Sequence, residues 1–69
     1  MTQDHHSQRI QINRERRNVL LAGTDWTQLP DVPLLTASKT AFATYRQALR
    51  DIDLFRPQWP TQPAEEWEA

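Results

Sequence analysis

The sequence predicts an all-α fold: a two-helix antiparallel hairpin with a long connection that carries tryptophan and proline, followed by an extended proline-rich C-terminal tail. Three observations predict it. Residues 36–52 contain no Gly or Pro and set Phe42, Tyr45, Leu49 and Ile52 at spacings of 3, 4 and 3, the repeat of one helical face. A second helix is expected over residues 8–22, between a possible N-cap at Ser7 and Gly23, the only glycine, where a C′ residue takes positive φ. Pro57, Pro60 and Pro63 follow one another at every third residue, which favours an extended, polyproline-like path. The expected organisation is a disordered stretch over 1–7, a helical hairpin domain over 8–56 and a Pro/Trp/Glu tail over 57–69.

The first helix is not cleanly amphipathic. At about 100° per residue, Ile12 and Val19 share one side, while Ile10 and Leu21 fall opposite, among Arg14 and Arg17. One stripe facing a core would look different, so this helix is expected either to have contacts on two sides or to be shorter, with Ile12 and Val19 in the core.

The connection, residues 23–35, is longer than the roughly two to eight residues usual between helices. Its apolar content is high for a surface linker. Trp26, Leu29, Leu34 and Leu35 are expected to fold back as a lid, each buried leucine contributing about 1.5–3 kcal/mol. Asp25 or Thr27 would cap the turn from its side chain.

In the second helix Thr36 is a suitable N-cap. Ala37, Ala41 and Ala48 widen the Phe42-Tyr45-Leu49-Ile52 seam to an arc of roughly 140°. Arg46 and Arg50 stand one turn apart beside it, where like charges repel by a few tenths of a kcal/mol. Retaining both points to carboxylates, either the chain's own Asp31, Asp51 or Asp53 or those of a partner, since the guanidinium fork can grip a carboxylate bidentately. Asp51 and Asp53 sit at the unfavourable end of the helix dipole, which suggests pairing or a loop role.

Length and composition bound what this chain can be. Its 69 residues allow one domain, and a domain near this size buries only about 60% of its unfolded surface. Cysteine is absent, which removes disulfides and thiolate ligands. A binding partner, or a second copy of the chain, is the expected source of the missing stabilisation. The net charge is −1, yet Arg9, Arg14, Arg16 and Arg17 crowd one end of the sequence and Glu65, Glu66 and Glu68 the other. No apolar run approaches the ~20 residues of a membrane span, and MTQDHHSQ has no apolar h-region, so a cytoplasmic protein without a membrane partner is expected.

Catalytic signals are missing. His5 and His6 beside Asp4 are adjacent residues without a second ligand pair. Ser7 and Ser38 lie in no nucleophile motif. Tyr45 sits inside the apolar seam, and one glycine cannot build a phosphate loop. No enzyme activity, cofactor or metal is expected. Arg14-Glu15-Arg16-Arg17 keeps one alternative open, a small nucleic-acid-binding helical regulator; its arginines form no coherent face with base-reading neighbours, so nucleic acid is not the expected partner.

Three motifs in combination are more telling: Asp25-Trp26-Thr27 with Leu29-Pro30-Asp31, then the run YRQALRDI from Tyr45 to Ile52, then Trp59-Pro60-Thr61. Together they resemble the small bacteriophage tail assembly chaperone family, over most of the chain. Two positions depart from the family pattern. Phe42 stands where a tryptophan is common, which keeps an aromatic anchor. Gln62 stands where WPTKP has lysine, which removes a positive charge. The resemblance implies non-catalytic binding of a tail-fibre or other tail protein in the host cytoplasm during assembly, with retention in the virion tail left open. The side chains expected to meet that partner are Trp26, Leu29, Pro30, Arg46, Arg50, Trp59 and Pro60. Tryptophan and arginine are enriched at binding hot spots, and an extended proline-rich segment has less entropy to lose on docking.

Overall fold

The computed structural model describes residues 5–69. It contains two α-helices, α1 (His5–Thr24) and α2 (Thr36–Arg50), with a 3₁₀ turn, Asp25–Gln28, between them. No strand forms among the described residues; the nearest approach is one antiparallel β-bridge between Leu34 and Trp67. The molecule measures 58 × 17 × 14 Å. It is long because α1 runs past the end of α2, and residues 54–55 of the tail lie along that overhang, where Asn13 donates to the Leu54 carbonyl (2.7 Å).

The α2 seam is the core. Phe42 and Leu49 are fully buried and Tyr45 nearly so, with Phe42 and Tyr45 edge to face at 6.4 Å between centroids, the geometry their ring quadrupoles favour. Leu20, Leu21 and Trp59 pack against this cluster from α1 and from the tail. Ile52, expected to extend the seam, lies past the end of α2 and is only half-buried. The helix stops at Arg50, and Asp51 takes the C-cap, its carboxylate accepting from the Gln47 amide at 3.1 and 3.2 Å.

The inner face of α1 differs from the expected one. Ile12 is 63% and Val19 70% exposed, so neither is core. The side turned inward carries Ile10, Asn13, Arg17, Leu20, Leu21 and Thr24 instead, all half-buried or buried. The reason is polar work. Asn13 holds the tail carbonyl of Leu54, and Thr24 joins a buried hydrogen-bond network with Arg46. The apolar part of this face is the side opposite Ile12 and Val19, with Leu20 and Leu21 packed on the core, and the polar residues beside it are what spacing alone does not reveal.

Helix boundaries moved as well. α1 begins at His5, so residues 5–7 of the expected disordered stretch are helical and Ser7 is not an N-cap; residues 1–4 lie outside the described part. α2 is capped by the extended Leu35 rather than by Thr36, with no side-chain cap bond. Gly23 is inside α1, and no residue has positive φ among those described. The left-handed reversal is unnecessary because α1 passes directly into the same-handed 3₁₀ turn.

Two outcomes test this core. A Cβ added at Gly23 meets nothing within 4 Å, so Gly23→Ala should raise stability by about 0.5–1 kcal/mol, a rise of several degrees in Tm; a C′ glycine would show a fall. Leu49→Ala should lose about 2–5 kcal/mol, whereas Val19→Ala should stay within about 0.5 kcal/mol. Urea melts of the variants measure both.

Candidate functional site

The last turn of an α-helix leaves carbonyls without an internal partner. At the end of α1 side chains supply the donors. The Trp26 indole N–H donates to the Gly23 carbonyl at 2.9 Å, and the Thr27 hydroxyl to the Thr24 carbonyl at 2.6 Å. Arg46 reaches across from α2 and donates to the Leu21 carbonyl at 2.6 Å. Its other contacts are the Thr24 hydroxyl at 2.9 Å and the Asp25 carboxylate at 2.5 Å. Thr24 in turn points its hydroxyl at the Leu20 and Leu21 carbonyls, at 2.8 and 3.2 Å. The Asp-Trp-Thr run is therefore a helix terminator: the Trp26 and Thr27 side chains donate to carbonyls at the α1 end, and Asp25 accepts from the Arg46 guanidinium that caps it. A guanidinium there also meets the negative end of the helix dipole.

Beyond this junction the connection and the tail clasp each other. Val32 and Leu34 are buried. The Leu35 N–H donates to the Glu66 carbonyl and the Glu68 N–H to the Pro33 carbonyl, both at 2.8 Å. The Ser38 hydroxyl donates to the Ala64 carbonyl at 2.9 Å and accepts from the Glu66 N–H at 3.3 Å. Trp67 stacks on Trp26 with centroids 5.6 Å apart and planes 6° from parallel, and Trp26 in turn leans on Phe42 at 6.4 Å. At the opposite end the tail is held by cations: Arg16 lies over the Trp59 ring at 4.3 Å, and Arg9 and Arg56 over Phe55 at 5.7 Å each. No buried side-chain polar atom lacks a partner among the described residues.

The residues expected to meet a partner divide on this frame. Arg46 is buried and spent within the chain; its carboxylate is Asp25, not Asp31, Asp51 or Asp53. Asp53 takes the loop role, accepting from the backbone N–H groups of Phe55 and Arg56. Trp26 and Trp59 are half-buried packing residues, and Pro60 is half-buried. Leu29, Pro30 and Arg50 are exposed. The expected lid is thus split: Leu34 seals the core, while Leu29 and Leu35 face outward. Leu29, Leu35 and Trp67 are exposed large apolar side chains of the connection and the tail, as Ile12 and Val19 are of α1.

Sequence reasoning passed over Thr24, Ser38 and Trp67, whereas Thr27, expected as a side-chain cap of the turn, donates to the Thr24 carbonyl. Ser38 was findable, because it occupies a position of the apolar seam four residues before Phe42. A small polar residue in such a place needs a buried partner. Trp67 carries no local signal, since its partner Trp26 is remote in sequence. Among the described residues no three His, Asp or Glu side chains gather where they could hold a metal ion, and no helix is long and apolar enough to cross a membrane. What the surface offers is exposed apolar side chains on the connection and tail, with three exposed glutamates at residues 65, 66 and 68.

Removing Arg46 should be costly and removing its charge partner cheap. Arg46→Met takes a charged donor from the Leu21 carbonyl and from the buried Thr24 hydroxyl, leaving Leu21 only the longer Thr24 contact, and should lower stability by about 2–3 kcal/mol. Asp25→Asn should lower it by under about 1 kcal/mol, because the Asp25 side chain is 66% exposed. Arg46→Lys should fall between them, as one ammonium cannot serve all three acceptors. Urea denaturation of the three variants ranks them; equal losses for the first two would assign the stabilisation to the ion pair instead.

A family model described as phage tail assembly chaperone protein matches residues 10–67. No curated protein and no solved structure gives a significant match.

Proposed function

Because the chain belongs to the phage tail assembly chaperone family, we propose that it holds a tail-fibre protein of its phage through the connection end of the hairpin during assembly. The family match, which spans most of α1, all of α2, the Trp/Pro connection and most of the tail, supports this reading. A chaperone role is a binding role, and the work is non-catalytic. The client is held by apolar surface that the hairpin leaves uncovered: Leu29, Pro30 and Leu35 on the connection, with Trp67 beside them. Arg50, exposed on α2, adds a guanidinium for acidic groups of the client. Trp26 and Trp59 shape the surface from below rather than meeting the client themselves. The binding takes place in the host cytoplasm, where tail parts are made.

Buried leucines stabilise an interface much as they do a core, at about 25 cal/mol per Å² removed from water. Few side chains are needed, since a handful of central contacts carry most of the affinity of an interface. The thin core is consistent with a protein whose stability rises when a client is bound, as any ligand selective for the folded state requires.

Co-expression with the tail-fibre protein encoded in the same phage tests the reading. The wild-type chain should co-purify with it, and Leu29→Ser combined with Leu35→Ser should reduce the captured protein at least tenfold while leaving Tm within a few degrees. Undiminished capture by the double variant would move the client site elsewhere, and no capture by the wild type would remove the fibre protein as client.

A further inference from the structure

The segment clasping the connection has one side used and one side open. Its Glu66 carbonyl and Glu68 N–H bond to residues 35 and 33, and its Glu66 N–H bonds to Ser38. In extended backbone, successive residues direct their N–H and C=O groups to opposite sides. Glu65 and Trp67 therefore aim theirs away from the body, and neither residue's backbone has a hydrogen-bond partner among the described residues. Such an edge is a template for another strand.

Charge decides which strand can use it. Glu65, Glu66 and Glu68 are exposed, and none is in an ion pair among the described residues. If two copies paired antiparallel through Trp67, each Glu66 would stand opposite the other copy's Glu68. Like charges directly opposite are destabilising. The edge is thus guarded against its own copy by the glutamates that would welcome a cationic strand. Trp67, 49% exposed, adds an apolar contact between them. We infer that residues 65–69 take up an extended, lysine- or arginine-bearing segment of the client by backbone pairing along the open edge. The inference rests on the reading of this chain as a client-binding tail chaperone and names the chemistry of the client segment.

Two changes separate backbone pairing from charge. Glu65→Pro removes an outward N–H and leaves the bonds of residues 66 and 68 in place, with Glu65→Gln as its charge control. Glu66→Lys with Glu68→Lys reverses the charge of the edge. The probe is a capped hexapeptide alternating lysine and valine, with its glutamate counterpart for comparison, titrated against the full chain by tryptophan emission. The lysine peptide should bind, the glutamate peptide should not, and affinity should fall at least tenfold in Glu65→Pro and in the charge-reversed variant but less than threefold in Glu65→Gln. Far-UV circular dichroism and Tm verify that each variant is folded. Binding of both peptides alike, binding unaffected by Glu65→Pro, or a concentration-dependent dimer abolished by Glu65→Pro would overturn the inference. The fibre co-purification separates the two readings. Equal capture by wild type and the charge-reversed variant sinks the edge and leaves the fibre reading standing. Peptide binding without fibre capture does the reverse.

Discussion

Arg46 is the tie on which this small structure depends. Its guanidinium is buried on α2 and its donors end on three different groups at the close of α1: a main-chain carbonyl, a threonine hydroxyl and a carboxylate. An arginine taken out of water needs such partners, since an unpaired buried charge costs far more than any packing around it can return. The requirement works in both directions. Arg46 can be buried only if α1 ends at Thr24, and α1 can end there without reversing its chain only because Arg46, Trp26 and Thr27 satisfy its final carbonyls. The position of one helix end, the crossing of the two helices and the conformation of Asp25-Trp26-Thr27 are one constraint seen from three places. The Asp25 carboxylate is the least of its parts, being mostly in solvent, where an ion pair contributes little.

The remaining architecture compensates for having only two helices. Two helices cannot surround a seam as wide as that of α2, so the third wall is made from chain without regular structure. The tail leaves α2, lies under Arg9 and Arg16, sets Trp59 against Leu20, Leu21 and the Phe42 cluster, and returns to the start of α2 to bridge Leu34. Prolines suit such a path because an extended segment with fixed φ has less freedom to lose on docking. The Trp67-Trp26-Phe42 stack carries the closure into the core. Stacking in this arrangement contributes about 0.5–1.5 kcal/mol per pair beyond area, enough to matter in a domain of this size.

How much of this was legible in the sequence depended on whether the signal was apolar and local. The α2 seam was, because Phe42, Tyr45 and Leu49 repeat at helical spacing with no breaker between them. The tryptophan-bearing connection was legible as more than a linker, and Leu34 duly seals the core. The inner face of α1 was not. Ile12 and Val19 obey the spacing rule and point to solvent, whereas Asn13 and Thr24 violate it and point inward, because a tail carbonyl and an arginine wait for them there. Pairings remote in sequence were equally hidden: Arg46 with Asp25, Trp67 with Trp26, Ser38 with Ala64. At the candidate site the exposed Leu29, Pro30 and Arg50 stood where surface residues belong. Arg46 did not, because its spacing fits a solvent edge as well as it fits a helix end to be capped.

The arginines of α1 show how such hidden pairings redirect a functional reading. Taken as a charge run, Arg9, Arg14, Arg16 and Arg17 suggest a phosphate-binding helix. In three dimensions Arg9 and Arg16, two turns apart on one side, are covered by Phe55 and Trp59, and Arg17 donates to the neighbouring Asn18 side chain. A cation over an aromatic face at a partly exposed site contributes about 0.5–1 kcal/mol, and two in register lay the tail along the helix. Three of these four arginines are thus engaged within the chain. The charges are also separated along the molecule: Arg9 and Arg16 of α1 lie over aromatic rings, while Glu65, Glu66 and Glu68 stand beside Leu35 and Trp67. Exposed apolar side chains occur in both regions, Ile12 and Val19 on α1 and Leu29, Leu35 and Trp67 on the connection and tail, so it is the charge beside them that tells the two regions apart. Like charges at residues 65, 66 and 68 disfavour the pairing of two copies along that segment.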